Sequence, residues 1–276
     1  MPSRIDMPAT ARSAAHSAGA GLFDFRDVDN FARDYLATYY CQPPAPDEQV
    51  VLSFLAEHYR KIACQPCAIE IGCGPTVHHA LPLAPYVSEI HMADYLPENL
   101  EEVKQWRDGH PDAHRWQEYT TLTLSLEGLP AGPADVEKRE RDVRRKMTRF
   151  LVCDLKSDLP LGARHNYSAV CSFYCGENIG ITPEEWFNVM RRLADLTRPG
   201  GYLFLSALRE TTFYSVRSAG GSSRRLPSVY LTESDFARVL PQLGFDASDM
   251  VIDSRRLSGQ ENDGVNGVIL VAARKR

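Results

Sequence analysis

Short apolar segments of strand length alternate with helical segments along most of the chain, and this alternation limits the folds open to it. The predicted strands are CAIEI (67–71), SEIHMAD (88–94), RFLVCDL (149–155), YSAVCSFYC (167–175), YLFLSAL (202–208) and GVILVAARK (267–275). Strands that alternate with helices are typical of a mostly parallel sheet covered on both faces. The sequence therefore predicts an α/β fold.

Helix signals fill the intervals between these strands. The predicted helices are 28–40, 44–62, 76–84, 97–109, 182–201 and 232–245. Asp47, Thr182 and Thr232 have the side chains preferred at helix N-caps, and Pro183 follows one of them at the first helical position. A cap followed by an apolar stripe makes each of these assignments more specific than periodicity alone.

Two long segments exceed what a minimal α/β unit needs. The first, 116–147, contains YTTLTLSLEG, which alternates like a strand, and then a charged helix, ADVEKRERDVRRKM. The second, 209–230, is predicted to be a substrate loop, because long insertions often carry function. We predict a disordered tail at 1–22 and a single domain at 23–276, with a helical lid at 23–63.

Composition restricts the partners of such a domain. The formal net charge is -5, which does not favour the broad basic surface that nucleic acid requires. No apolar run approaches the ~20 residues that span a bilayer, and the first 20 residues lack a signal-peptide core. We expect a cytoplasmic monomer or weak homodimer that acts on a small molecule, with neither nucleic acid nor membrane as partner.

The seven cysteines suggest reduced thiols, since an odd number is scattered along the chain. Cys64 and Cys67, in CQPC, have the spacing of metal ligands. A structural zinc site needs four ligands, and no second matching pair is present. We therefore predict no metal site.

The segment AIEIGCGPT (68–76) combines a buried strand with two glycines one residue apart. In an α/β sheet, ligands bind outside the carboxyl ends of the strands, where the strand order reverses. Gly72 and Gly74 allow the backbone to turn there and to approach a ligand closely. Asp94 ends the next predicted strand 20 residues after Gly74, where an acid can accept both hydroxyls of a ribose.

The third glycine of the dinucleotide fingerprint is replaced by Val77, which disfavours a bound pyrophosphate. A cofactor with an adenine, a ribose and a cationic amino-acid end suits the acidic surroundings better, and S-adenosylmethionine has these parts. Asp154 and Leu155, at the end of the third predicted strand, could face its adenine. The glycine loop could instead be a plain turn that binds no ligand. Asp154 could instead be a helix cap.

Several motifs together resemble the nicotinamide, phenylethanolamine and thioether/indolethylamine methyltransferases. They are DYLATYY, IEIGCGPT, ADYLPENLEEVKQW, VCDL, RPGGYLFLSALRETTFY and NGVILVAARK. The resemblance extends from about Arg33 to Lys275. It implies a class I methyltransferase fold, in which the last strand of a seven-stranded sheet is antiparallel.

The resemblance also implies the residues that bind S-adenosylmethionine. They are Tyr35, Tyr40, Gly72, Cys73, Gly74, Thr76, Asp94, Tyr95, Asn99, Asp154 and Leu155. Tyr35 and Tyr40 would close over the ligands, with Tyr35 between cofactor and acceptor. The structural alternative for these tyrosines is a helix face packed on the sheet.

For the acceptor, we predict contacts from Tyr39, Tyr174, Ser206, Phe213, Tyr214 and Arg225. Ser206 stands where the nicotinamide enzymes have an aspartate, so we expect an acceptor other than nicotinamide. Glu177 and Glu210 are candidate catalytic carboxylates, with Tyr35 as a third catalytic candidate. A carboxylate can bind an ammonium group or take its proton. Either acid could instead be a surface residue or a helix cap.

The predicted reaction is methyl transfer to an amine nitrogen of a small molecule. Transfer to oxygen or sulfur is an alternative, because one fold supports many chemistries. A nucleic-acid or protein methyltransferase is disfavoured by the acidic net charge, and a nicotinamide-dependent oxidoreductase by Val77.

Overall fold

The predicted alternation of strands and helices is confirmed by the computed structural model, which describes residues 31–41, 43–62, 65–217, 223–257 and 266–276. The strands are β1 (Gln65–Ile71), β2 (Val87–Asp94), β3 (Met147–Val152), β4 (Tyr167–Phe173), β5 (Thr197–Leu208), β6 (Phe213–Arg217), β7 (Ser223–Pro227), β8 (Phe245–Arg256) and β9 (Gly267–Lys275). The α-helices are α1 (Phe31–Tyr39), α2 (Pro46–His58), α3 (Ala80–Leu83), α4 (Pro97–Asp108), α5 (Gln117–Leu126), α6 (Pro133–Lys146), α7 (Gly176–Ile179), α8 (Pro183–Leu196) and α9 (Glu233–Gln242). The predicted tail, 1–22, lies outside the described residues.

Seven strands form one sheet in the order β3-β2-β1-β4-β5-β9-β8. All pairings from β3 to β5 are parallel, and β9 runs antiparallel to both of its neighbours. The predicted seven-stranded sheet with an antiparallel last strand is thus confirmed. The strand order reverses between β1 and β4, which places a ligand-binding crevice at their carboxyl ends.

The core lies on both faces of the sheet. Successive residues of β9 show this: Val268 and Leu270 pack in one cluster, with α2, while Ile269 and Val271 pack in the other, with α8 and α9. Both clusters are nearly inaccessible to solvent. This two-sided burial explains why the predicted strands are continuously apolar rather than alternating.

The predicted strand within 116–147 is wrong, because YTTLTLSLEG forms most of helix α5. Its buried residues are Tyr119, Thr120, Thr123 and Leu124, a helical spacing that the Thr/Leu alternation conceals. Thr120 Oγ1 donates to the Trp116 carbonyl, so the threonine hydroxyl is satisfied within the helix. Burial of Tyr119 against neighbouring rings therefore outweighs the β-propensity of threonine.

The predicted caps differ in outcome. Thr182 and Thr232 are N-caps, each in a capping box with an acid three residues later. The prediction for Asp47 is wrong, since Ala45 is the N-cap of α2 and Pro46 opens the helix. Proline fixes its own φ at a helical value, so the helix begins one residue before the acid.

Strands β6, β7 and β8 were not predicted from the sequence. Strand β8 lies at the sheet edge and is mostly half-exposed, so it lacks a continuous apolar run. Strands β6 and β7 form a separate hairpin within the predicted substrate loop. Among the described residues, none of the helices combines the length and apolarity needed to cross a bilayer.

Candidate active site

A cavity of about 540 Å³ opens at the carboxyl ends of β1, β2 and β4, where the strand order reverses. Its volume is in the range of small-molecule sites. Ten of the residues predicted from the sequence line it: Tyr35, Gly72, Gly74, Asp94, Tyr95, Asn99, Asp154, Leu155, Tyr174 and Tyr214.

The glycine loop forms the floor of this cavity. Gly72 and Gly74 have φ values of +68° and +58°, a region that glycine enters at little cost. The Gly72 and Cys73 amides both donate to the Ala93 carbonyl, which ties the loop to β2. A Cβ at Gly72 would lie 2.2 Å from Cys175 Sγ, so no side chain fits there without a shift.

Asp94, at the end of β2, holds the glycine loop in place through hydrogen bonds. Its Oδ2 accepts from the Gly74 amide at 2.8 Å, and its Oδ1 accepts from the Leu96 amide and from Asn99 Nδ2, both at 2.9 Å. Burial raises the pKa of this carboxyl, although these hydrogen bonds oppose the shift. One side chain therefore holds the glycine loop and the start of α4 together.

The residues after β3 continue the cavity wall. Asp154 Oδ1 accepts from the Lys156 amide at 2.8 Å, which closes a local turn, and Leu155 is buried beside it. Both Asp154 and Leu155 line the cavity, together with Lys156. A carboxylate and an apolar side chain thus adjoin each other in the cavity wall.

Two elements far apart in sequence cover the cavity. Tyr35, from α1, and Tyr214, from β6, both line it. Tyr39 joins them: its hydroxyl donates to the Ser215 carbonyl at 3.3 Å and accepts from the Arg217 amide at 2.9 Å. Of the two helices in the range predicted as a lid, α1 covers the cavity, whereas α2 packs in the core.

Replacing Tyr39 with phenylalanine is expected to loosen this cover. The variant keeps the ring but loses both hydrogen bonds, each worth about 1 kcal/mol. We expect about tenfold weaker cofactor binding and faster proteolysis within the β6–β7 hairpin, with little change in the urea midpoint. Tyr230→Phe, at an exposed tyrosine, is the matched control. Unchanged cofactor affinity in Tyr39→Phe would contradict the prediction.

Tyr174 follows β4 with φ +49°, a conformation uncommon for a residue other than glycine. Its amide donates to both the carbonyl and the hydroxyl oxygen of Ser206, at 3.1 and 3.2 Å. Ser206 is buried and does not line the cavity. It therefore supports Tyr174, and a strained backbone of this kind is frequent at functional sites.

Glu177, on α7, is nearly inaccessible to solvent, with 1% of its surface exposed. Its Oε1 accepts from the Leu208 amide at 3.0 Å. Burial raises the pKa of this carboxyl to about 7, against the effect of backbone hydrogen bonds. Cys175 and Asn178, on either side of Glu177 in the sequence, line the cavity, whereas Glu177 itself does not.

The remaining predicted site residues lie outside the lining. They are Tyr39, Tyr40, Cys73, Thr76, Glu177, Ser206, Glu210, Phe213 and Arg225. Thr76 Oγ1 donates to the Cys73 carbonyl at 2.8 Å and so stabilises the glycine loop from below. The Glu210 carboxylate pairs with Arg209, and the Glu210 carbonyl accepts from Asn266 Nδ2.

Arg225 and Phe213 lie on the outer face of the hairpin. Side chains alternate along a strand, and Arg225 pairs with Ser215, between the cavity-lining Tyr214 and Val216. The Arg225 guanidinium lies over the Phe213 ring, 4.5 Å from its centroid. The hairpin register thus places Arg225 opposite the cavity face.

Tyr40 belongs to a buried polar network beneath the site. Its hydroxyl donates to Glu48 Oε1 at 3.1 Å, and Glu48 Oε2 lies 2.9 Å from His78 Nε2 and 3.5 Å from His79 Nε2. His79 Nδ1 in turn lies 2.9 Å from Glu70 Oε1. Burial lowers the pKa of His79, but Glu70 and Glu48 outweigh it and raise that pKa to about 9.

Sequence reasoning missed about half of the lining. The missed residues are Phe31, Ile71, Pro75, Leu96, Cys153, Lys156, Cys175, Asn178, Ile179 and Val216. Most of them adjoin a predicted residue in the sequence, so the strand-end rule could have found them. Val216 had no such signal, because the hairpin was not predicted.

The lining has features that fit S-adenosylmethionine. Among the described residues, Asn99 Oδ1, Asn178 Oδ1 and the Tyr174 hydroxyl are buried without a hydrogen-bond partner. Buried acceptors of this kind are costly unless a ligand donates to them. The donor groups of a ribose, an adenine and an ammonium would satisfy them, and the Gly72–Gly74 backbone leaves room for close approach.

Comparison with known proteins agrees with this site. The model of the NNMT/PNMT/TEMT family matches residues 26–276. Indolethylamine N-methyltransferase of Mus musculus is 28% identical over 77% of this chain and 80% of that protein. Nicotinamide N-methyltransferase of Homo sapiens is 30% identical over 67% of this chain and 72% of that protein.

Among solved structures, the DhpI-SAM-HEP complex superposes with a TM-score of 0.54 at 13% identity, over 88% of this chain and 92% of that chain. At this identity the likeness supports the fold. The expected class I methyltransferase architecture is thereby confirmed, and the oxidoreductase alternative loses its support. From the family match and the cavity geometry together, the chain belongs to the NNMT/PNMT/TEMT family of S-adenosylmethionine-dependent methyltransferases.

Proposed function

We propose that the chain transfers the methyl group of S-adenosylmethionine to an amine nitrogen of a small molecule. The names of its relatives support this, since indolethylamine, nicotinamide and phenylethanolamine are small nitrogen compounds. The observation that carries the proposal is Glu177, a buried carboxyl whose neighbours Cys175 and Asn178 line the cavity. An acid in this position favours a cationic or protonated nitrogen over a neutral phenol or thiol.

When bound, S-adenosylmethionine supplies a methyl group that is already activated for transfer to a nucleophile. The protein then has to hold the two ligands in line and exclude water. Asp94 and the glycine loop would hold the cofactor, with Asn99 and Asp154 at its ribose and adenine. The cover tied by Tyr39 would exclude water from the reacting atoms.

The acceptor would bind between Tyr174 and Tyr214, whose rings suit a planar or cationic group. Burial raises the pKa of both tyrosines most. For Tyr214 the charge of Glu177 is the next cause of the raised pKa, and for Tyr174 it adds to the larger effects of Asp47 and Glu48. We place the ammonium of the acceptor between these two tyrosines, on the side of Glu177. Glu177 would hold that ammonium and take its proton, directly or through a water molecule, before transfer.

We expect kcat/KM to rise with pH through about 7, because the pKa of Glu177 is raised to about 7 and only its ionised form can accept the proton. Glu177→Gln keeps the oxygen that accepts from Leu208 but has no charge. It should lose about a hundredfold in kcat/KM and the pH step together. The measurement is a pH–rate profile from pH 5.5 to 8.5 with an amine acceptor.

Glu210→Gln is the control for this experiment, since Glu210 pairs with Arg209 and does not line the cavity. The control should retain both rate and pH profile. Equal loss in the two variants, or an unchanged step in Glu177→Gln, would count against the assignment. Labelled S-adenosylmethionine with matched amines, phenols and thiols tests the acceptor class itself: label on oxygen or sulfur alone would overturn the amine proposal.

Domain organisation, localisation and oligomeric state are further proposals. We propose a single domain over 23–276, with α1 and the 209–230 hairpin as its cover. We also propose a cytoplasmic protein that is a monomer or weak homodimer and does not act on nucleic acid. The acidic net charge of -5 supports the last point.

A further inference from the structure

The structure brings two further ligand-type side chains to the CQPC motif. Strands β1 and β2 pair so that Cys67 lies beside Glu89, and His91 lies two residues further along the same face. Cys67 Sγ, Glu89 Oε2 and His91 Nε2 lie within 4.8 Å of one another. These residues lie toward the amino ends of the strands, whereas the cavity is at the carboxyl ends. We propose that Cys67, Glu89 and His91 form a binding site for a zinc-like divalent cation.

Two of the three distances between these atoms match the edges of a tetrahedral site, and the third is within 4.8 Å. Cys67 Sγ lies 3.5 Å from His91 Nε2, and His91 Nε2 lies 3.3 Å from Glu89 Oε2. With zinc–sulfur bonds of about 2.3 Å and zinc–nitrogen or zinc–oxygen bonds of about 2.0 Å, tetrahedral angles give edges of about 3.5 and 3.3 Å. One ion could therefore contact His91 with either partner at these distances, and the half-exposed Glu89 carboxylate can adjust its separation from Cys67.

Hydrogen bonds fix the orientation of the His91 and Glu89 side chains. The Tyr167 hydroxyl lies 3.0 Å from His91 Nδ1, which leaves Nε2 facing Cys67 and Glu89. Thr148 Oγ1 donates to Glu89 Oε2 at 3.2 Å. Metal-binding histidines commonly have such a partner on the second ring nitrogen, and it sets the direction of the ligand atom.

Access and charge also suit a cation. The Glu89 side chain is 51% exposed, and that of His91 is 8% exposed. An ion can therefore enter from solvent and keep a water molecule as its fourth ligand. A thiolate and a carboxylate supply two negative charges for a divalent ion, and a thiolate–imidazole–carboxylate set favours zinc over magnesium or calcium. Arg149, which pairs with His91 in the β2–β3 register, is a positive charge that a bound cation would have to tolerate.

A second cluster, Glu48, His78 and His79, also has ligand-type atoms within 4.8 Å of one another. It is buried, and His79 already lies between Glu48 and Glu70. A buried imidazole between two carboxylates is balanced without a metal. The Cys67 site is therefore the stronger of the two. Cys64, three residues earlier, lies outside the described residues and is not part of the proposal.

The test is cobalt(II) and zinc(II) titration of the metal-free full-length protein. We expect one equivalent of cobalt to give a thiolate-to-cobalt charge-transfer band, and zinc to remove it. Cys67→Ser should abolish the band and weaken zinc binding at least about tenfold in calorimetry. His91→Gln should weaken binding while keeping some of the band.

Cys41→Ser, which removes an exposed thiol, is the matched control and should behave like the wild type. S-adenosylmethionine binding by Cys67→Ser reports whether the variant is folded. It should be unchanged, because the metal site lies toward the amino ends of β1 and β2 and the cavity lies at their carboxyl ends. No band in the wild type, or an equal band in Cys67→Ser, would overturn the metal site. Neither result would bear on methyl transfer.

Discussion

The Asp94→Ala variant should bind S-adenosylmethionine at least about a hundredfold more weakly than the wild type. Asp94 accepts hydrogen bonds from the Gly74 amide, the Leu96 amide and Asn99 Nδ2. Bonds to a charged group are worth about 1.5–3 kcal/mol each. Losing the bond from Gly74, which orders the loop, and one of the bonds that order the start of α4 costs about 3 kcal/mol or more. Each 1.4 kcal/mol is about tenfold in Kd.

Calorimetry with S-adenosylmethionine measures this effect, and urea unfolding measures the accompanying loss of stability. Asp94→Asn, which keeps one acceptor oxygen, should lie between the wild type and Asp94→Ala. Asp158→Ala is the control, because Asp158 is exposed and its ion pairs among the described residues, with Arg191 and Arg192, do not involve the cavity. Wild-type affinity in Asp94→Ala would remove the basis for placing the cofactor at this loop.

The second large effect is expected for Gly72→Ala. The residue has φ +68°, and the new Cβ would lie 2.2 Å from Cys175 Sγ. Left-handed backbone costs a residue other than glycine about 1–2 kcal/mol, and overpacking adds about 1–3 kcal/mol. We expect a loss of about 2–5 kcal/mol in unfolding free energy and loss of detectable cofactor binding.

Gly109→Ala separates the two contributions. Gly109 also has a positive φ, +75°, but a Cβ there would meet no atom within 4 Å. It should therefore show only the backbone cost, with normal cofactor binding. Adding Cys175→Ala to Gly72→Ala should recover part of the loss, because the clashing sulfur is removed. Equal destabilisation by Gly72→Ala and Gly109→Ala would show that the contact with Cys175 is unimportant.

Local signals predicted many of the residues at the strand ends that line the cavity. The glycine pair, Asp94 and Asp154 each follow a strand that is apolar enough to recognise, and the parallel sheet brings strand ends together. The family resemblance added Tyr95 and Asn99, both in the cavity wall. These placements follow from the parallel pairing of β1, β2 and β3, which the alternation of strands and helices already predicts.

The acceptor end depended on information that the sequence pattern lacks. Whether Arg225 faces the cavity is decided by the register of β6 and β7, and a shift of one residue reverses every side chain. The fold of YTTLTLSLEG was decided similarly by distant residues, since Tyr119 packs against Tyr40 and His78. Nor could spacing pair Cys67 with Glu89 and His91, because only the β1–β2 register joins them.

The contacts from Tyr40 through Glu48 and His79 to Glu70 limit which N-terminal truncations the protein can tolerate. Glu48 lies on α2, while Glu70 stands two residues before the first glycine of the loop. A fragment lacking the N-terminal helices would leave a buried imidazolium with one counter-ion instead of two. Helix α2 therefore supplies a counter-ion that the folded domain needs, and it could not be removed or exchanged without a change at His79.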